Sequence, residues 1–299
     1  MVMQLTNLFV PTIRDRTVAN FGKLFQIHQH VNSNVGPDDR LRVDFSRCTF
    51  IPQNGVAFLG GLITLARTNG ADVQVDWTTL SPEIRKHLAN CGFIAAMGGP
   101  DDGYVKNTVP YRGDMVLNKD SLMEYLTQDW LGRGWIGVSS RLRDAVVGKT
   151  FELYANAFEH GSSPVGVHSC GQFYYNNGEL RLAVVDFGVG IVANVRRFLD
   201  DSSISDSDAL QWAFQEGNST ILDGIIGRGM GLDILRRFVH VNQGVIMIFS
   251  NRSCGIITAD SESFGTMPYE CPGTVVNIGF KCDERFYKLA AEDDEEPLF

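Results

Sequence analysis

The sequence has no C-x-x-C pair, no excess of basic charge, no apolar run long enough to cross a bilayer, and no basic start followed by an apolar core and a small-residue cleavage site. Each absence removes a class of protein. Cys48, Cys91, Cys170, Cys254, Cys271 and Cys282 are scattered, and the six histidines do not cluster beside them. That pattern disfavours zinc and a disulfide framework and fits reduced thiols in a cytosol. His28 and His30, two apart in "IHQH", would point to different sides of a helix and make a poor ligand pair. The longest uncharged apolar-leaning run, "NGVAFLGGLITLA", is well short of the roughly 20 residues a bilayer demands, so no membrane is expected. A formal charge of -9 argues against coating phosphate backbones, and nucleic acid is not an expected partner. Lacking a secretory signal, the chain is expected to be cytoplasmic, with its mature form beginning at this start.

What is present is a chain of 299 residues, 44% hydrophobic and 20% charged, long enough for two domains of ordinary size, each with its own core. Up to about residue 97 short strands alternate with helices: "NLFVPTI", "TVANFGKLFQIHQHV", "LRVDF", "GVAFLGGLITLARTNG", "VQVDW", "SPEIRKHLANCG". Such alternation predicts a layered α/β unit with a largely parallel sheet. "MGGPDDGY", Met97 to Tyr104, is dense in Gly, Pro and Asp and reads as a linker. Beyond it a long helical pattern runs from about Ser139 through His160. Strand-like segments follow: "GQFYYNNGELRLAVVDFG" with "NNG" as its turn, "GVIMIFSNRSCGIITA" and "GTVVNIGF". This half predicts an α+β arrangement. The expected division is residues 1–104, 105–290 and an acidic tail over 291–299, whose run "EDDEEPLF" reads as solvated and disordered, with Leu298 and Phe299 leaving room for a docking peptide.

In "FELYANAFEHG", Glu152, Asn156 and His160 recur at steps of four and fall along one stripe of a helix. Alone, that stripe reads as the wet face of an amphipathic helix. Downstream, "VVDFGVGI" ends an apolar strand at Asp186 and turns through Gly188 and Gly190. A carboxylate there can accept from a ligand's amino group while Cβ-free backbone approaches its flat face; a plain strand-ending turn is the other reading. "GRGMGLDIL" sets Gly227, Gly229 and Gly231 before an apolar helix, an arrangement whose N–H groups and dipole suit phosphate. It follows no strand of a βαβ unit and is not "GxxxxGK[ST]", which removes the dinucleotide and Walker readings. Last, "PGTVVNI" opens a strand with Gly273 and Thr274.

Taken in order, the Glu/Asn helix, the Asp-x-Gly-x-Gly turn, the glycine loop before a helix and the Gly-Thr strand resemble the GHKL superfamily of ATP-binding domains, named for gyrase, its class of heat-shock chaperone, histidine kinases and the mismatch-repair protein MutL. The resemblance covers about residues 105 to 282. It implies a Bergerat-type ATP-binding sandwich, an antiparallel-rich sheet covered by helices, with ATP and Mg²⁺ as cofactors. Glu152 then matches the residue that activates a water or acceptor hydroxyl, Asn156 the Mg²⁺ ligand, and Asp186 the residue that reads the adenine amino group, with Thr274 backing it through water. Gly188 and Gly190 match the adenine-side turn; Gly227, Gly229 and Gly231 match the lid over the phosphates. Phe187 stands where many members have Asn. Chemistry agrees with these roles, since γ-phosphate hydrolysis asks for a metal to hold charge and a positioned base. Lys149, at i,i+3 from Glu152, would tie the carboxylate down when nucleotide is absent. His160 reads either as a solvated edge or as a phosphate contact.

"ELYANAFEHG" and "ALQWAFQEGNSTI" look most like the anti-sigma-factor serine kinases. No helical His-Glu phosphoacceptor precedes the domain, and little follows Cys282 to form a transducer. The front stretch, "LRVDFSRCTFIPQNGVAFLGGLITLARTNGADVQV" then "SPEIRKHLANCGF", resembles the STAS domain of sulfate transporters and anti-sigma-factor antagonists. In antagonists such kinases phosphorylate a serine at the start of the helix after the second strand. Here Gln53 and Asn54 occupy that stretch, so internal docking is expected rather than self-phosphorylation.

Three functions follow as expectations. The first is a regulatory protein that binds and slowly hydrolyses Mg-ATP, its nucleotide state switching contacts with a protein partner. The second is a serine/threonine kinase acting on a separate STAS-like protein. The third is a non-catalytic module that sequesters a regulator. A homodimer is carried over from related kinases.

Overall fold

The computed structural model describes residues 4–14, 17–100, 108–215 and 233–292. Three parallel strands, β1 (Leu5–Phe9), β2 (Arg40–Asp44) and β3 (Asp72–Asp76), form a sheet in the order β1-β2-β3. They are joined by α1 (Val18–Asn34) and α2 (Gln53–Thr68), and α3 (Pro82–Asn90) and α4 (Phe93–Ala96) follow. The start signals behave as the chemistry dictates: Ser81 Oγ accepts from the Ile84 amide at 3.4 Å, with Pro82 at the first helical position. Only one face of this sheet is buried. Leu8, Leu41 and Val43 point inward, whereas the opposite face carries cross-strand ion pairs, Arg40 to Asp72 and Arg42 to Asp76.

After residues 101–107, which lie outside the described set along with part of the expected linker, the chain builds a five-stranded antiparallel sheet in the order β4-β6-β7-β9-β8. Its strands are β4 (Thr108–Asp114), β6 (Val167–Tyr174), β7 (Glu179–Asp186), β8 (Val245–Thr258) and β9 (Glu262–Lys281). "NNG" turns β6 into β7, with Gly178 in the left-handed region at φ 55°. A two-residue parallel pair, β5 (Gly137–Val138) with β10 (Phe286–Tyr287), lies apart from it. One face of the large sheet is covered by α5 (Lys119–Glu124), a π-helical turn at Tyr125–Trp130, α6 (Ser140–His160), α7 (Gly190–Leu199), α8 (Asp206–Phe214) and α9 (Asp233–Asn242). This is the expected α+β arrangement of helices on an antiparallel sheet.

The other face is covered by the front segment. Phe21 and Phe25 of α1 and Phe58, Leu59 and Leu62 of α2 share one continuous core with Cys170, Ala183, Val185, Phe249 and Val275 of the large sheet. The front segment therefore does not close a core of its own, and the order of layers is sheet, helices, sheet, helices. A glycine pair makes the approach close enough: a Cβ on Gly60 would overlap the Tyr111 ring, and one on Gly61 the Phe187 ring. Among the described residues no helix is long and apolar enough to cross a membrane, and all six cysteines are free thiols. Glu292, first of the acidic run, is not simply solvated. Its carboxylate accepts from the Ser139 hydroxyl, at the N-cap of α6, and from the Leu289 amide, both at 2.7 Å. Residues 293–299 lie outside the described set.

Candidate functional site

Helix α6 begins where Ser139 Oγ accepts from the Leu142 amide at 3.1 Å, and it runs unbroken to His160. Its rotation is set from below. Tyr154 is fully buried and donates to Ser169 Oγ of β6 at 2.6 Å, and Ser169 in turn donates to the Ala183 carbonyl at 2.8 Å. Glu152 and Asn156 stand two residues to either side of Tyr154, about 200° around the helix, so pinning that tyrosine inward turns their stripe away from the sheet. Both are half-buried. Glu152 Oε1 accepts from Lys149 Nζ at 2.8 Å, the restraint expected from the i,i+3 spacing. Exposed pairs of this kind stabilise by only about 0.3–0.5 kcal/mol, so an incoming partner can replace it. His160 is less solvated than its place at the stripe's end implies: Nε2 is shielded from water and has no hydrogen-bond partner among the described residues.

The C-terminal end of α6 is stitched to the turn after β7. Gly161 O accepts from the Val189 amide at 2.7 Å, Ser163 Oγ from the Phe187 amide at 3.2 Å, and His160 O from Asn194 Nδ2 at 3.0 Å. On the other side Ser250 Oγ accepts from the Ile191 amide at 2.7 Å and donates to Gly273 O at 3.1 Å, while Asn251 Nδ2 reaches Val189 O at 3.2 Å. The glycines are required by this crowding. A Cβ on Gly188 would fall inside the shell of the Gly161 carbonyl, and Gly273, at φ +85°, would push one to 2.5 Å from the Gly188 amide nitrogen. Gly190 combines φ +81° with the same contact problem against Asn251.

Asp186 ends β7 directly opposite Thr274 of β9, as the strand register pairs them. Only 3% of the residue is exposed, and its Oδ1 accepts from the Gly188 amide at 2.8 Å. Burial raises the carboxyl from 3.8 to about 7, against the pull of Gly188 and Thr274. The folded chain thus holds this proton to a higher pH than the unfolded chain does. The resulting stability is full below the unfolded value and is lost as pH rises through about 7. Asp186→Asn, which cannot ionise, should therefore melt at a higher temperature than the wild type at about pH 8 and lose that advantage at about pH 4. Thermal melts at both pH values check it, and an advantage of equal size at both would refute the buried-acid account.

The structure thus brings Asp186, Gly188, Gly190 and Thr274 together and joins them, through Gly161, to the end of the helix that carries Glu152 and Asn156. Gly227, Gly229 and Gly231 lie outside the described residues. Among those described, no cluster of three or more His, Cys, Asp or Glu side chains could hold a metal unaided. Phe187, the residue after Asp186, is buried at 6% exposure. It packs at 5.0 Å from the Phe58 ring of α2 and 5.9 Å from the His28 ring of α1, making the turn itself the contact between site and front helices. Gln53, at the first position of α2, is buried and accepts from the Tyr174 hydroxyl at 2.8 Å. Sequence reasoning also missed Ser250, Asn251 and the Tyr154–Ser169 pair; only Tyr154 left a trace, as an aromatic placed opposite the polar stripe. No protein-family model matches the chain, and no curated protein matches its sequence.

Proposed function

We propose that the chain is a GHKL-type regulatory protein that binds Mg-ATP against Asp186, Gly188, Gly190 and Thr274 and hydrolyses it slowly, and that a STAS-like front segment passes its nucleotide state to a protein partner. The observation that carries this reading is the buried carboxyl of Asp186 in a turn of required glycines, bonded to the end of the Glu/Asn helix. An exocyclic amino group is a donor that a buried carboxylate can accept, and the cradle lets a flat ring approach backbone where a Cβ would block it. The residues fit the metal as well, because the Asn156 amide is half-buried and makes no side-chain hydrogen bond to a described residue. Asn156 would hold Mg²⁺, which supplies charge neutralisation on the phosphates when bound. Glu152, released from Lys149, would take the proton of the attacking water.

Coupling to the front segment is supported by Phe187, since any shift of the turn on nucleotide binding moves a ring wedged against Gly61 and Phe58 of α2. Gln53 speaks against self-phosphorylation: the position expected to carry an acceptor hydroxyl is an amide already bonded to Tyr174. Calorimetry with Mg²⁺ and a non-hydrolysable ATP analogue tests the proposal. The wild type should bind one analogue per chain, and Asp186→Asn should weaken it by about 10-fold or more, the usual loss for a buried hydrogen bond to a charged group. Absence of binding by the wild type, or equal binding by the variant, would sink the adenine assignment.

A further inference from the structure

On the face of the large sheet away from α6, the side chains change character along the strands. Near Asp186 they are apolar, with Val185, Phe249 and Val275 under the front helices. At the other end the same face carries Gln172, Arg181 and Asn277, and there a cavity of about 550 Å³ opens beneath the start of α2. Asn277 lies in it, 8% exposed, with neither its amide oxygen nor its amide nitrogen bonded to a described residue, and Gln172 Oε1 is likewise buried and unpartnered among the described residues. Leaving a buried amide unmade costs stability, and Met247 and Ala183, its neighbours in register, would pack against an apolar side chain at that position. The amide makes sense as a ligand group.

The rest of the lining narrows the ligand. Asn277 offers a donor and an acceptor side by side, the complement of the amide-like edge of a nucleobase. Phe50 and Tyr175, 37% and 64% exposed, are aromatic surfaces on which a planar ring can stack. Helix α2 opens at the cavity with Pro52 as N-cap and no capping side chain, so its first amides are directed at whatever binds there. Arg14 stands at the same rim, bonded to the Thr49 hydroxyl at 3.0 Å and forming no ion pair among the described residues. The volume lies within the usual range for small-molecule sites. We infer that this cavity is a second ligand site, taking a nucleoside monophosphate with its base edge on Asn277 and its phosphate at Arg14 and the start of α2.

The inference is independent of the ATP reading, because the two sites use opposite faces of the sheet. Calorimetry on the full chain with AMP, GMP, CMP and UMP in turn provides the test. At least one should bind the wild type at one per chain, keep its affinity in Asp186→Asn and lose about tenfold or more in Asn277→Leu. Ligand-free Asn277→Leu should melt no lower than the wild type. Arg14→Ala, an exposed change that leaves the core intact, should reduce the monophosphate's affinity to that of the matching nucleoside, and it decides the matter should the leucine variant fail to fold. Binding by none of the four, binding that survives both Asn277→Leu and Arg14→Ala, or binding lost in Asp186→Asn would overturn the proposal.

Discussion

Glu152→Gln should lower ATP turnover by about 10²- to 10⁴-fold, the span that a positioned general base contributes, while leaving analogue affinity close to that of the wild type. Glutamine keeps the length and the amide-like shape, so the helix surface is undisturbed. What it loses is the capacity to accept a proton, together with the charge that Lys149 neutralises at 2.8 Å. A drop in kcat without a drop in affinity is the signature of an interaction made only in the transition state. Steady-state phosphate release, paired with calorimetry on the same preparations, reads both quantities. Equal turnover in variant and wild type would remove Glu152 from the chemistry, and a parallel loss of affinity would make it a binding residue instead.

Gly188→Ala should cost about 3 kcal/mol of stability, the upper end for overpacking, because the new methyl meets a backbone carbonyl that cannot swing aside. Moving Gly161 away would break the bond between its oxygen and the Val189 amide at 2.7 Å, the link that holds the end of α6 to the turn. Gly148→Ala supplies the control. That residue lies inside α6 with nothing within 4 Å of an added Cβ. There alanine should stabilise by roughly 0.5–1 kcal/mol through helix propensity alone. Urea unfolding of the two variants should therefore shift the midpoint in opposite directions. A Gly188→Ala midpoint equal to that of the wild type would show that the turn can relax, contrary to the crowding described.

Much of the architecture is legible in the sequence because local signals agree with the fold. Ser81-Pro82 and Ser139 mark helix starts, "NNG" marks a hairpin, and the long pattern ending at His160 is one helix. The residues of the turn after Asp186 are legible for the same reason: a carboxylate after an apolar strand, followed by glycines, is a local pattern. What the sequence conceals is non-local. Nothing in an apolar run such as "FLGGLITLA" tells whether a helix lies against its own sheet or another, since periodicity reports which residues are buried and not against what. Residues Gly60 and Gly61 look like weak points in α2 until Tyr111 and Phe187 are seen to occupy the space their side chains would need. Asn277 hides inside an apolar strand pattern, and only the structure reveals that its amide faces a cavity with no partner among the described residues.

The shared core also sets a schedule for synthesis. The front segment leaves the ribosome first, with the buried faces of α1 and α2 uncovered, and the strand that completes their cover ends only at Lys281. At about 5–20 residues per second, that interval is on the order of 10–40 s, long enough for an exposed apolar helix pair to meet another nascent copy. Newly made chains should therefore depend on a chaperone that shields α1 and α2 during this wait, and crowded polysomes are where misassembly of this protein would begin.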